Sequence, residues 1–119
     1  MHTDPKQLIS ESIILKDCLN YLTFKKIPAW RNNTGVFSVH DKSGTRYIRS
    51  GIAGSPDIIG YVPAKDDEPA QPLFFEVKRY GGKLTKLQRN FLDNAKEKGC
   101  RYAGFGTLED LMELFKEGV

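Results

Sequence analysis

The chain is poor in the residues that build zinc sites, disulfide frameworks and membrane anchors: it has two cysteines, two histidines and one tryptophan in 119 residues. Cys18 and Cys100 stand far apart, without metal-ligand spacing to each other or to His2 and His40. A zinc site is therefore excluded, and buried thiols are expected. No apolar run approaches the roughly 18 residues of a membrane helix, so no membrane partner is expected. The start, Met1-His2-Thr3-Asp4-Pro5, lacks the charged and apolar regions of a signal peptide. The expected compartment is the cytoplasm, where the thiols stay reduced. A formal net charge of +3 is too small by itself to mark a nucleic-acid binder.

What is present is ordinary globular composition, 39% hydrophobic and 28% charged, in a length that suits one domain over residues 1–119. A long helix is expected from Asp4-Pro5, a capping residue followed by proline. Its apolar stripe would be Leu8, Leu15, Cys18, Leu19 and Leu22, with Glu11 inside it. Short strand-like pieces follow at 29–31, 35–40 and 46–49. The turn signals Asn32-Asn33-Thr34-Gly35 and Asp41-Lys42-Ser43-Gly44 join them, which suggests an antiparallel meander. The runs 58–62 and 73–77 read as two further strands around a proline-rich loop, 63–72, the best candidate for mobility. A helix over 85–98, a strand over 101–105 and a helix opened by Thr107 complete an α/β fold with a mixed central sheet flanked by helices.

The chemistry concentrates where the runs 58–62 and 73–77 meet. Gly54-Ser55-Pro56-Asp57 opens one and Glu76-Val77-Lys78 closes the other. Side chains alternate along a strand, so Glu76 and Lys78 share a face while Val77 points into the core. Folding about the loop is expected to set Asp57 across from Lys78, one pair from Glu76. Two carboxylates and an ammonium can gather a divalent cation and a phosphate; the Val77 carbonyl, on the same edge, is a further candidate ligand. All-oxygen ligation points to Mg2+ or Mn2+. The plainer alternative is a hairpin with surface charges.

Three features surround this set. A carboxylate on an apolar stripe needs a partner, so Glu11 either lies at the stripe's edge or faces a cation. Gln88 completes a capping box with Thr85, or else turns its amide to the nucleophilic water or a phosphate. From Lys78 to Arg89 there are five basic residues (Lys78, Arg79, Lys83, Lys86, Arg89) and no acid; Arg31, Lys42, Arg46 and Arg49 form a second stretch with only Asp41 among them. Basic stretches on both sides of an acidic centre fit a phosphate backbone.

A helical glutamate, G-S-P-D entering a strand, E-V-K within the next and T-x-x-Q opening a helix together resemble the PD-(D/E)xK nuclease superfamily, most of all its phage and bacterial VRR-NUC (virus-type replication-repair nuclease) domains. The resemblance spans nearly the whole chain. It implies a restriction-endonuclease-like core, with Asp57 and Glu76 as metal-binding acids, Lys78 as the catalytic lysine, Gln88 as the helix glutamine and Glu11 supporting the metal site, through water. Arg31-Asn32 with Gly35 is similar to the family's polar turn. The implied activity is a Mg2+- or Mn2+-dependent DNA endonuclease, acting as a homodimer on branched or four-way junction DNA in a bacterial or phage-infected cell. A structure-indifferent or restriction-like nuclease is an alternative, and a non-catalytic nucleic-acid-binding module another; cleavage of linear, flap and junction DNA with and without metal separates them.

Overall fold

The computed structural model describes residues 4–33 and 35–116, with the backbone alone for 35–37, 49 and 50. Asp4 and Pro5 open a helix as expected, and the Asp4 side chain accepts from the Lys6 N–H at 3.0 Å. It is only a 3₁₀ turn, Pro5–Leu8. Ile9 and Ser10 are extended, and Ser10 restarts the chain as α1, Glu11–Phe24, its hydroxyl accepting from the Ile13 N–H. A serine side chain able to satisfy an orphan donor wins over helix continuation. The break changes the stripe: Ile14, Cys18 and Leu22 are buried, Leu15 and Leu19 are half-buried, and Leu8 is 74% exposed. Glu11 becomes the exposed first residue of α1, where the helix dipole favours an acid, and lies outside the buried stripe.

The remaining elements are β1 (Ala29–Arg31), β2 (Gly35–Asp41), β3 (Gly44–Ser50), β4 (Ile58–Val62), β5 (Gln71–Val77), α2 (Lys86–Glu97), β6 (Tyr102–Gly106) and α3 (Leu108–Leu114). A four-stranded sheet runs in the order β1-β4-β5-β6, antiparallel except for the β5–β6 pair. A parallel pair needs a crossover, and α2 is that crossover. On one face of the sheet Ile58, Leu73, Phe75, Val77 and Tyr102 pack against Ile14, Cys18 and Leu22 of α1 and against Leu111 and Phe115 at α3. α2 covers part of the opposite face through Leu92 and through Phe91, whose ring meets Phe74 edge-on at 5.2 Å. The expected α/β fold with a mixed central sheet between helices is what forms.

The expected meander does not. β1 joins the main sheet beside β4, whereas β2 and β3 pair only with each other. The Asp41–Gly44 turn is built as its residues suggest, Asp41 accepting from the Ser43 N–H and hydroxyl. The hairpin's side chains from 38 to 48 are exposed, apart from half-buried Val39. It projects from the body and raises the radius of gyration to 16.5 Å, against about 13–14 Å for a compact chain of this length. Within the 63–72 loop Lys65 and Glu68 exchange both backbone hydrogen bonds. Pro72 is tolerated within β5 because pairing with β6 begins only at Leu73.

Cys18 is buried, and burial beside Asp17 pushes its thiol up to about 12. It stays a neutral core thiol. Cys100, expected to be buried, is only partly so, and both cysteines are free. No helix among the described residues is long and apolar enough to cross a membrane.

Candidate active site

β4 and β5 pair with Ile58 opposite Phe75 and Ile59 opposite Phe74. Extended by one residue, this register sets Asp57 opposite Glu76, not opposite Lys78 as the loop arithmetic suggested. The slip is two residues. An even slip keeps every side chain on its face, so the grouping survives although the partner changes. Asp57 Oδ2 accepts from the Val77 N–H at 3.0 Å, which ties the acid to β5. Lys78 continues toward β6, its N–H donating to the Gly106 carbonyl at 2.8 Å. Since backbone groups of successive strand residues face opposite edges, the Val77 carbonyl faces the β4 edge, with the N–H that binds Asp57. The Val77 side chain is in the core, as expected.

Glu76 is the unusual group. Its residue is 5% exposed, on the sheet face that carries Phe74 and α2. Burial and the Asp57 carboxylate push its pKa up to about 8, against the opposing pull of the Lys78 ammonium. Two carboxylates side by side in a half-dry site resist simultaneous ionisation, and a cation between them removes that resistance. An oxygen-only set of this kind fits a hard divalent ion. Gln88 takes the capping role, and its amide also reaches Glu76. Its Oε1 accepts from the Thr85 N–H at 2.9 Å and completes the capping box of α2, while its Nε2 donates to Glu76 Oε1 at 3.1 Å. The helix cap and the acid are held by one amide.

The loop carrying Asp57 is fixed by its neighbours. Gly54 has φ +82°, and a Cβ there would lie 2.5 Å from the Leu87 carbonyl oxygen. The glycine permits close approach to the first turn of α2. Leu87 itself is exposed. Pro56 is buried, and Asn32, beyond the end of β1, donates to Ser55 Oγ and to the Pro56 carbonyl, both at 2.9 Å. Sequence reasoning gave Asn32 no contact with Asp57; its only signal was a place in a polar turn.

The other candidates lie further out. The Glu11 side chain makes no hydrogen bond or ion pair among the described residues, and these hold no group of three or more His, Cys, Asp or Glu that could bind a metal. The structure thus brings together Asp57, Glu76, Lys78 and Gln88, with no direct hydrogen bond from the Glu11 side chain to any of them. Arg31, at the end of β1 opposite Ile58, is exposed and borders a hollow shared with Lys16 and Asn20 of α1. Arg79, Lys83, Lys86 and Arg89 are exposed along the segment from Lys78 into α2. Arg46 projects from β3, with Asp41 at 3.7 Å. The side chain of Arg49, like Thr34, lies outside the described residues.

Residues 10–105 match the family model of the VRR-NUC domain, a nuclease domain with a restriction-endonuclease-like core. No curated protein and no solved structure matches the chain. The match runs from the cap of α1 through the GSPD loop, the EVK strand and the glutamine helix into β6, and on that extent the chain belongs to the VRR-NUC family.

Proposed function

We propose that the protein is a divalent-metal-dependent DNA endonuclease, acting as a homodimer on branched DNA such as a four-way junction, in the cytoplasm of a bacterial or phage-infected cell. The observation that carries the metal-dependent reading is the buried Glu76 carboxyl held against Asp57 with Lys78 on the same strand face. Asp57, Glu76 and the Val77 carbonyl would hold Mg2+ or Mn2+, with Glu11 in an outer, water-mediated part. The bound ion would offset charge building on the phosphate and activate water. The Lys78 ammonium orients the phosphate or the attacking water. Gln88 keeps the Glu76 carboxylate aimed. Arg31, Arg46, Arg49, Arg79, Lys83, Lys86 and Arg89 would neutralise the phosphates on either side. Two copies, each cutting one strand, suit a substrate with paired, symmetric strands.

A cleavage panel tests this. Linear duplex, flap and four-way junction DNA are incubated with Mg2+, Mn2+ or chelator, beside Asp57→Asn, Lys78→Ala and Glu11→Ala. Metal-dependent cutting that prefers the junction, is lost in the first two variants and is only reduced in the third is the expected result. Wild-type rates in Lys78→Ala refute the centre; equal cutting of all three substrates refutes branch selectivity. Sedimentation of the free protein as a monomer at assay concentration refutes the homodimer.

A further inference from the structure

Asn32 sits where the chain leaves β1 for the β2–β3 hairpin, and the hairpin returns into the Gly54–Asp57 loop. Its backbone N–H donates to the Asp57 carbonyl at 2.6 Å. Its side-chain amide donates to Ser55 Oγ and to the Pro56 carbonyl. One residue thus holds three consecutive residues of the loop, and both amide hydrogens are used. The orientation follows from chemistry: the Pro56 carbonyl can only accept, so the atom facing it must be the NH2. Between Gly51 and Asp57 the loop makes one internal backbone hydrogen bond among the described residues, Ser55 N–H to Ile52 carbonyl. Nothing in the loop itself fixes where the Asp57 carboxylate points. Asn32 on one side and the Val77 N–H on the other supply that.

We infer that Asn32 is a positioning residue of the metal centre: its carboxamide pins Ser55 and Pro56 and so holds the Asp57 carboxylate against the Val77 amide in the geometry a divalent ion requires. The inference rests on the metal-dependent reading above. A ligand displaced by about 1 Å through loss of its support is enough to weaken a site. The hairpin hangs from the same point, so the clasp also ties the root of this arm to Asp57.

Asn32→Asp is the sharpest test, being isosteric but unable to donate and opposing the Pro56 carbonyl with an oxygen. It is compared with Asn32→Ala, Ser55→Ala, the Ser55→Ala/Asn32→Ala double variant and Phe115→Leu, a core change distant in the fold. Three readouts are taken on the full chain: Mn2+ affinity by calorimetry, hydrogen exchange of the Val77 amide without metal, and Tm. Asn32→Asp and Asn32→Ala are expected to bind Mn2+ about tenfold or more weakly and to exchange the Val77 amide about tenfold faster, while β5 amides facing β6 keep their protection. Ser55→Ala, which keeps the Pro56 contact, should lose less than about threefold, and the double variant should be no weaker than Asn32→Ala because the two residues act as one unit. Phe115→Leu should lower Tm without changing Mn2+ affinity. The inference is overturned if Asn32→Asp binds Mn2+ like wild type, if Val77 exchange is unchanged, or if affinity merely follows Tm across all variants including Phe115→Leu. Wild type that binds Mn2+ but cuts no DNA overturns the nuclease reading and leaves the role of Asn32 standing; wild type that binds no Mn2+ overturns both.

Discussion

Removing the charge of Glu76 should make the metal-free protein more stable at alkaline pH, the reverse of what losing a favourable ion pair would do. Its folded pKa, about 8, lies above the 4.5 of an ordinary glutamate. The folded state therefore binds more protons than the unfolded state between those values, and stability falls as pH rises through the window. The slope for one such group is about 1.4 kcal/mol per pH unit, and the full effect across the window is on the order of 5 kcal/mol. Glu76→Gln removes the titration and keeps the contacts: the new carbonyl still accepts from Gln88 Nε2, and the new amide can donate to Asp57. Denaturant unfolding with chelator from pH 5 to 8.5 is the assay, read as the difference between wild type and variant so that the groups not coupled to Glu76 cancel. The variant should gain on wild type steadily with pH. Saturating Mn2+ should close the gap at pH 8 by stabilising wild type, since the ion selects the ionised pair. Parallel curves over pH 5–8 would refute the reasoning, because Glu76 would then be ionising like a surface carboxylate.

Gln88→Glu keeps an acceptor for the Thr85 N–H but replaces the donor to Glu76 with a second carboxylate; cleavage should fall by at least about tenfold, with helix content by circular dichroism near wild type, and unchanged cleavage would reduce Gln88 to a cap. Arg89→Ala should weaken DNA binding alike for all sequences and lower the salt slope of binding by about one, measured by fluorescence anisotropy across salt; an unchanged slope removes Arg89 from the phosphate contacts. Gly54→Ala, at φ +82° against the Leu87 backbone, should cost at least about 1–3 kcal/mol in denaturant unfolding and cleavage with it; a neutral result would mean the loop does not rest on α2 as described.

Short-range signals were legible because their physics is local. Thr85 and Gln88 sit three apart, the spacing at which a cap and its return bond close. Glu76 and Lys78 share a face because the strand period is two, with Val77 in the core for the same reason. The α1 break was misread although its cause was local too: Ser10 can cap a helix as well as Asp4, and the longer pattern hid the second start. Register was a harder case. Only the pairing of Ile58 with Phe75 sets Asp57 across from Glu76, and a two-residue slip leaves the hydrophobic pattern identical, so no pattern could choose between the two.

By itself the sequence determined the order of elements, the family pattern and the residue types of the centre, because each depends on neighbours a few positions apart. Tertiary structure alone decided that β1 leaves the hairpin to pair with β4 and that Asn32 clasps the loop beneath Asp57 from more than twenty residues away. These are contacts between distant segments. They depend on which strand edges and backbone donors remain unpaired once the core has closed, and that is settled only when the whole chain competes for them.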